Sequence, residues 1–177
     1  MAKKGTFGNL LTGAQAKAIG HLTINFNWME HGVEVLISTI LSNREHGLAE
    51  PLLAPMRFAA KVDVLQRLVK ELSQHYVPTP TLERAYLRFA AEMKASISQA
   101  KELNTFRNTV VHWRPFLNED AQRRRFQIEA SAKAIEAKAL EMEGLGMSLF
   151  SRALYLRKGD YSLTFGSHTG RDNSTSE

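Results

Sequence analysis

The 177-residue chain contains no cysteine. That absence excludes disulfides, thiolate metal sites and cysteine nucleophiles together. Long apolar runs are missing too: polar residues interrupt every apolar stretch well short of a bilayer span, so no membrane partner is expected. The basic start Met1-Ala2-Lys3-Lys4-Gly5 has no apolar stretch behind it and does not read as a secretory signal. The cytoplasm is therefore the expected compartment. No Glu-x-x-His pair of the kind that builds di-iron bundles occurs, and His21, His31, His46 and His75 lack the spacing of a zinc site. A glycine-rich phosphate loop and a nucleophile elbow are also absent. No cofactor and no metal are expected. There is no internal repeat.

What is present is ordinary globular composition, 44% hydrophobic and 23% charged, with a formal net charge of +5. That mild basicity suits a polyanionic partner without demonstrating one. Ile19, Leu22, Phe26, Met29, Val33, Leu36 and Ile40 recur at alternating intervals of three and four, one stripe of a helix. With Thr12 as N-cap and Ser42-Asn43 at its close, this helix is expected over 13–42. Gly20 and Gly32 lie inside it, either admitting a close neighbour or merely tolerated.

A second helix is expected from Pro55, with Phe58, Val62, Leu65, Val69 and Leu72 inward. Pro78 and Pro80 end it, and Thr81 caps a third helix carrying Leu82, Tyr86, Phe89, Met93, Ile97, Ala100 and Leu103. Continuing that alternation puts Arg107 and then Val110 on the core-facing seam. Pro115 ends this helix near His112 or Trp113. Residues 116–129 read as a turn followed by a weakly alternating, strand-like Arg125–Glu129. Ser131 opens a fourth helix with Ile135, Ala139 or Leu140, Met142 and Leu149 apolar; Gly144 and Gly146 are places for it to kink or stop early, and Leu149, Leu154 and Leu156 suggest that it resumes. The fold expected is all-α: an antiparallel up-and-down bundle of about four main helices, with a short irregular or β-like segment before the last. The domain is expected over 1–166, with a disordered polar tail at 167–177.

The chemistry-bearing residues cluster at the end of the third helix. Asn104, Asn108 and His112 are spaced four apart and share one polar face, and Arg107 lies on its buried edge. Histidine titrates nearest to neutral pH and suits proton transfer, so His112 is a candidate general acid or base. The arginine fork of Arg107 matches phosphate oxygens. Asn108 is placed to orient His112 or to hold substrate. Asn104, Trp113 and Arg114 are candidate substrate contacts.

The run Arg107-Asn108-x-x-x-His112 resembles the motif of the HEPN superfamily, small helical bundles that carry Arg, a polar residue that is often Asn, and then His near the end of their third main helix. The resemblance covers the helical plan over about residues 13–156, although only the three motif positions are specific. It implies a homodimer that brings two motifs together across a cleft and, in active members, metal-independent cleavage of RNA. Arg107, Asn108 and His112 would then be catalytic, in a toxin of a toxin–antitoxin or phage-defence system, with a protein antitoxin or regulator as a further partner. Many members of that fold are not nucleases. The alternative is a non-catalytic dimeric interaction or regulatory bundle that binds RNA or a nucleotide.

Structural roles stand beside these. Arg107 pairing with Glu30 or Glu34 would lock the bundle, and His112 would complement the helix dipole. Trp113 stacks on a base or joins the core or a dimer interface. Arg123-Arg124-Arg125 grips phosphates or forms a solvated charged face.

Overall fold

A computed structural model describes residues 12–42, 49–75, 80–112 and 131–157. Five helices follow one another: α1 (Gly13–Ser42), α2 (Ala49–Leu53), α3 (Phe58–His75), α4 (Pro80–Val111) and α5 (Ala132–Arg157). The chain is an all-α helical bundle, and no strand occurs among the described residues. No described helix is long and apolar enough to cross a membrane. The strand-like 125–129 segment and the 167–177 tail lie outside the described residues, as does the expected domain end at 166.

Helix α1 starts where its cap dictates. Thr12 Oγ1 accepts from the Gln15 amide at 3.2 Å while Gln15 Oε1 accepts from the Thr12 amide at 2.9 Å, a reciprocal capping box. Its stripe Leu22, Phe26, Met29, Val33 and Leu36 is buried as the spacing requires, joined by Ala18 and Ile37. Ser131 caps α5 through one bond, its Oγ accepting from the Ala134 amide at 3.1 Å.

Two expectations about boundaries change. The short α2 precedes the second long helix, and Pro55 falls in the turn after it, so α3 begins at Phe58. The fourth main helix is not interrupted at its glycines; α5 runs unbroken from Ala132 to Arg157. The reason is packing. A Cβ on Gly146 would sit 3.0 Å from both the Met29 Cα and the Trp28 ring, so the missing side chain lets α5 lie directly against α1. Ala139, Gly146 and Ala153 recur every seven residues along α5 and are buried. Two of them meet α1 at residues also seven apart: Asn25 Nδ2 donates to the Ala139 carbonyl at 3.0 Å, and Gly32 stands against Gly146. Small residues go inside here; Leu140, beside Ala139, is left 61% exposed.

The pairs along this seam rise together. His21 meets Glu136 at 2.7 Å, Asn25 meets Ala139, and Gly32 meets Gly146. Helices α1 and α5 therefore run parallel within the bundle, whereas strict alternation would oppose them. The contacts Phe26–Phe58 on α3 and Arg107–Phe26 on α4 place the far end of α4 beside the middle of α1. Lys101 of α4 bonds Asp63 at 2.9 Å and Gln66 at 2.8 Å, fastening α4 to α3.

Glu92 ties α4 to α5, accepting from Arg152 Nη1 at 2.8 Å and also from Arg88 Nε at 3.0 Å. The Arg152 hydrogen bond, aided by Arg88, holds the Glu92 carboxyl below its ordinary value of 4.5 against the opposing effect of desolvation. A depressed carboxylate pKa stabilises the fold above the unfolded value, and that stability is lost as pH falls through the folded value. Melting curves of wild type and Glu92→Gln should thus differ at neutral pH and converge as pH drops below 4.5. The gap should be small, because the Glu92 side chain is 40% exposed and solvent screens it.

Candidate functional site at the end of helix α4

The motif occupies the last turns of α4. Arg107 projects from its buried edge and lays its guanidinium over the Phe26 ring of α1, 4.7 Å from the centroid. Phe26 in turn packs on Phe58 of α3, with 4.9 Å between centroids. The arginine, on α4, thus caps an aromatic pair contributed by α1 and α3, and a cation over a ring face is attracted by its quadrupole. The seam position expected for Arg107 is where the structure puts it.

The alternative role, an ion pair of Arg107 with Glu30 or Glu34, is not what the structure shows. Lys61 of α3 takes both carboxylates, at 2.6 Å to Glu30 Oε1 and through a second short contact to Glu34 Oε1. The lysine wins because it is the more deeply placed cation, its side chain only 5% exposed, and a buried ammonium needs anionic partners more than a half-buried guanidinium does. Burial by itself would lower the Lys61 pKa, but hydrogen bonds and attraction from Glu30 and Glu34 outweigh it and hold the value above the usual 10.5. Lys61 is therefore charged at any physiological pH.

Arg107 is left without a carboxylate among the described residues, and its Nε is buried with no hydrogen-bond partner there. Its Nη1 donates instead to Asn108 Oδ1 at 3.0 Å, and Asn108 Nδ2 approaches Asn104 Oδ1 at 3.5 Å. Each amide oxygen in this string is turned toward the arginine side, which leaves the Asn104 amide N–H groups and Arg107 Nη2 without an acceptor among the described residues, while Nε is buried. The arrangement is a donor-rich, positively charged face, and the ligand it suits is an anion.

His112 sits one turn beyond Asn108, its amide donating to the Asn108 carbonyl at 3.0 Å. Its side chain is exposed, and among the described residues nothing holds the ring. It lies five positions after Arg107, about 140° around the helix and about 7.5 Å along it. Val111, 39% exposed, lies between them. The structure thus brings Arg107, Asn108 and Asn104 together and keeps His112 on the adjoining solvent face. Trp113, Arg114 and Arg123–Arg125 lie outside the described residues. Among the described residues no group of three or more His, Asp or Glu side chains is placed to hold a metal ion.

Sequence reasoning missed Lys61 and the aromatic pair beneath Arg107. A signal existed: Lys61 is three residues after Phe58 and four before Leu65, on the buried stripe of α3, and Glu30 and Glu34 are spaced to flank it. Comparison of the chain with protein-family models, with curated proteins and with solved structures finds no match.

Proposed function

We propose that the chain is a HEPN-type, metal-independent endoribonuclease acting as a homodimer. The observation that carries this reading is an arginine left free of any described carboxylate, with Asn108 and Asn104 extending its donor face, beside an exposed histidine on the same helix end. In the proposed reaction the RNA 2′-oxygen attacks the adjacent phosphorus and the bond from phosphorus to the 5′-oxygen breaks. The products are a 2′,3′-cyclic phosphate and a 5′-hydroxyl. One group removes the 2′ proton, another protonates the departing 5′-oxygen, and Arg107 stabilises the charge gathered on the phosphate.

A single His112 cannot be base and acid in one step. The angular separation of Arg107 from His112 also presents the two groups on different sides of one helix end. A second copy answers both needs, since two motifs facing each other supply two histidines and let the arginine of one chain serve a phosphate beside the histidine of the other. On this reading Trp113 and Arg114, which follow directly in sequence, are further contacts for the RNA strand. A role as the toxin of a toxin–antitoxin or phage-defence pair, held in check by a protein antitoxin, fits such an activity.

The test is cleavage of a mixed panel of labelled RNAs in excess EDTA by folded wild-type protein. Cleavage leaving 2′,3′-cyclic phosphate ends is the expected result; intact RNA throughout would reject the reading. A second reading draws on the burial of Arg107 Nε and its stack on Phe26 and Phe58, which joins three helices. On that reading the motif stabilises a non-catalytic, regulatory or RNA-binding bundle.

A further inference from the structure

Helix α1 carries Glu30 one turn beyond Phe26, the residue on which Arg107 rests, and Glu34 one turn further. Both side chains are partly exposed, 24% and 32%, and residues four apart on a helix are neighbours, about 5–6 Å between their Cβ atoms, which puts Glu30 beside the ring that carries the guanidinium. Carboxylate and guanidinium form strong paired hydrogen bonds when they meet. They do not meet, because a single ammonium group with three N–H donors binds one oxygen of each glutamate. Withdrawing either carboxylate would leave a buried cation short of a partner, which holds both in place.

We infer that Lys61 is a positioning residue that keeps Glu30 and Glu34 away from Arg107, and so keeps the Arg107 guanidinium open to a phosphate group. This deepens the reading of Arg107 as the phosphate-binding group and rests on it. Removing the lysine charge releases Glu30 toward Arg107, and a phosphate then has to displace a carboxylate already seated there. Lys61 touches no substrate; its effect passes through the two glutamates. A merely structural lysine would show a different pattern, since loss of phosphate binding would not depend on which charges remain on α1.

The experiment measures binding of a labelled 2′-O-methyl RNA, which has no 2′-hydroxyl to attack, by fluorescence anisotropy in EDTA. The proteins are wild type, Arg107→Ala, Lys61→Met and the triple variant Lys61→Met/Glu30→Gln/Glu34→Gln, each shown folded by circular dichroism. Arg107→Ala and Lys61→Met should each weaken binding about tenfold, the scale of one charged hydrogen bond. The triple variant should return to within about threefold of wild type on the same scale. Lys61→Gln replaces Lys61→Met if the latter does not fold.

If Arg107→Ala loses affinity while Lys61→Met keeps it, or if the triple variant stays as weak as Lys61→Met, the inference is overturned and the phosphate role of Arg107 stands. If Arg107→Ala binds as well as wild type, the phosphate reading fails. A crystal structure of the Lys61 variant then decides the positioning role separately. A Glu30 or Glu34 carboxylate on Arg107 supports it, and both carboxylates remaining clear of Arg107 overturns it.

Discussion

Replacing His112 by Ala should lower RNA cleavage by two to four orders of magnitude, roughly the worth of a positioned general acid or base, while leaving the melting temperature nearly unchanged. The separation of the two readouts follows from the geometry. The His112 side chain is exposed and no described residue holds its ring, so the substitution deletes almost no packing and costs about 0.5 kcal/mol or less. Arg107→Ala should behave differently. It removes a guanidinium stacked on Phe26 and bonded to Asn108, so both activity and stability fall, the latter by about 1 kcal/mol. Arg107→Lys should recover part of the stability but little of the activity, because an ammonium cannot reproduce the planar fork. Cleavage and melting curves on the same samples check all three. If Arg107→Ala lowers the melting temperature while it and His112→Ala both cleave like wild type, the motif is structural and its catalytic role is wrong.

How far the sequence foretold this site depends on which interaction is asked about. Helix α1 was legible to the residue, because a seven-member stripe and the Thr12 cap are both local signals. The semi-buried place of Arg107 was legible for the same reason, as an extension of the α4 stripe. Its partner was not. Glu30 and Glu34 are the nearest suitable anions by helix pattern, but two cations compete for them, and only the fold says that Lys61 is the one buried between them. The α5 glycines were misread on equally physical grounds: a propensity rule registers the cost of Gly146 to its own helix, while the compensating contact lies on α1, more than a hundred residues away. The parallel run of α1 and α5 had no sequence signal either. Helix periodicity tells which face is buried and carries no information on the direction in which a neighbouring helix runs.

The α1–α5 seam predicts the largest stability effect. In Gly32→Ala the new Cβ would stand 2.8 Å from the Gly146 carbonyl oxygen and 3.3 Å from both the Gly146 Cα and the Leu149 Cβ. Two of these three neighbours are backbone, so no rotamer change relieves the contact and the helices must separate. Separation is felt along the whole seam, since Met29, Val33, Met142 and Leu149 are all fully or almost fully buried and lose dispersion contacts together. Overpacking of this kind costs about 1–3 kcal/mol, and a rigid backbone neighbour places Gly32 at the upper end. The better helix propensity of alanine returns about 1 kcal/mol, for a net loss of about 2 kcal/mol. In a chain of this length that is a fall of about 4–8 °C in melting temperature. Gly20→Ala is the matched control on the same helix. Nothing lies within 4 Å of its added Cβ, so only the propensity gain applies and the melting temperature should rise by about 2 °C. Opposite signs for one substitution at two glycines of α1 would establish that close approach at Gly32, and not helix propensity, sets the α1–α5 distance; equal shifts would place α5 elsewhere.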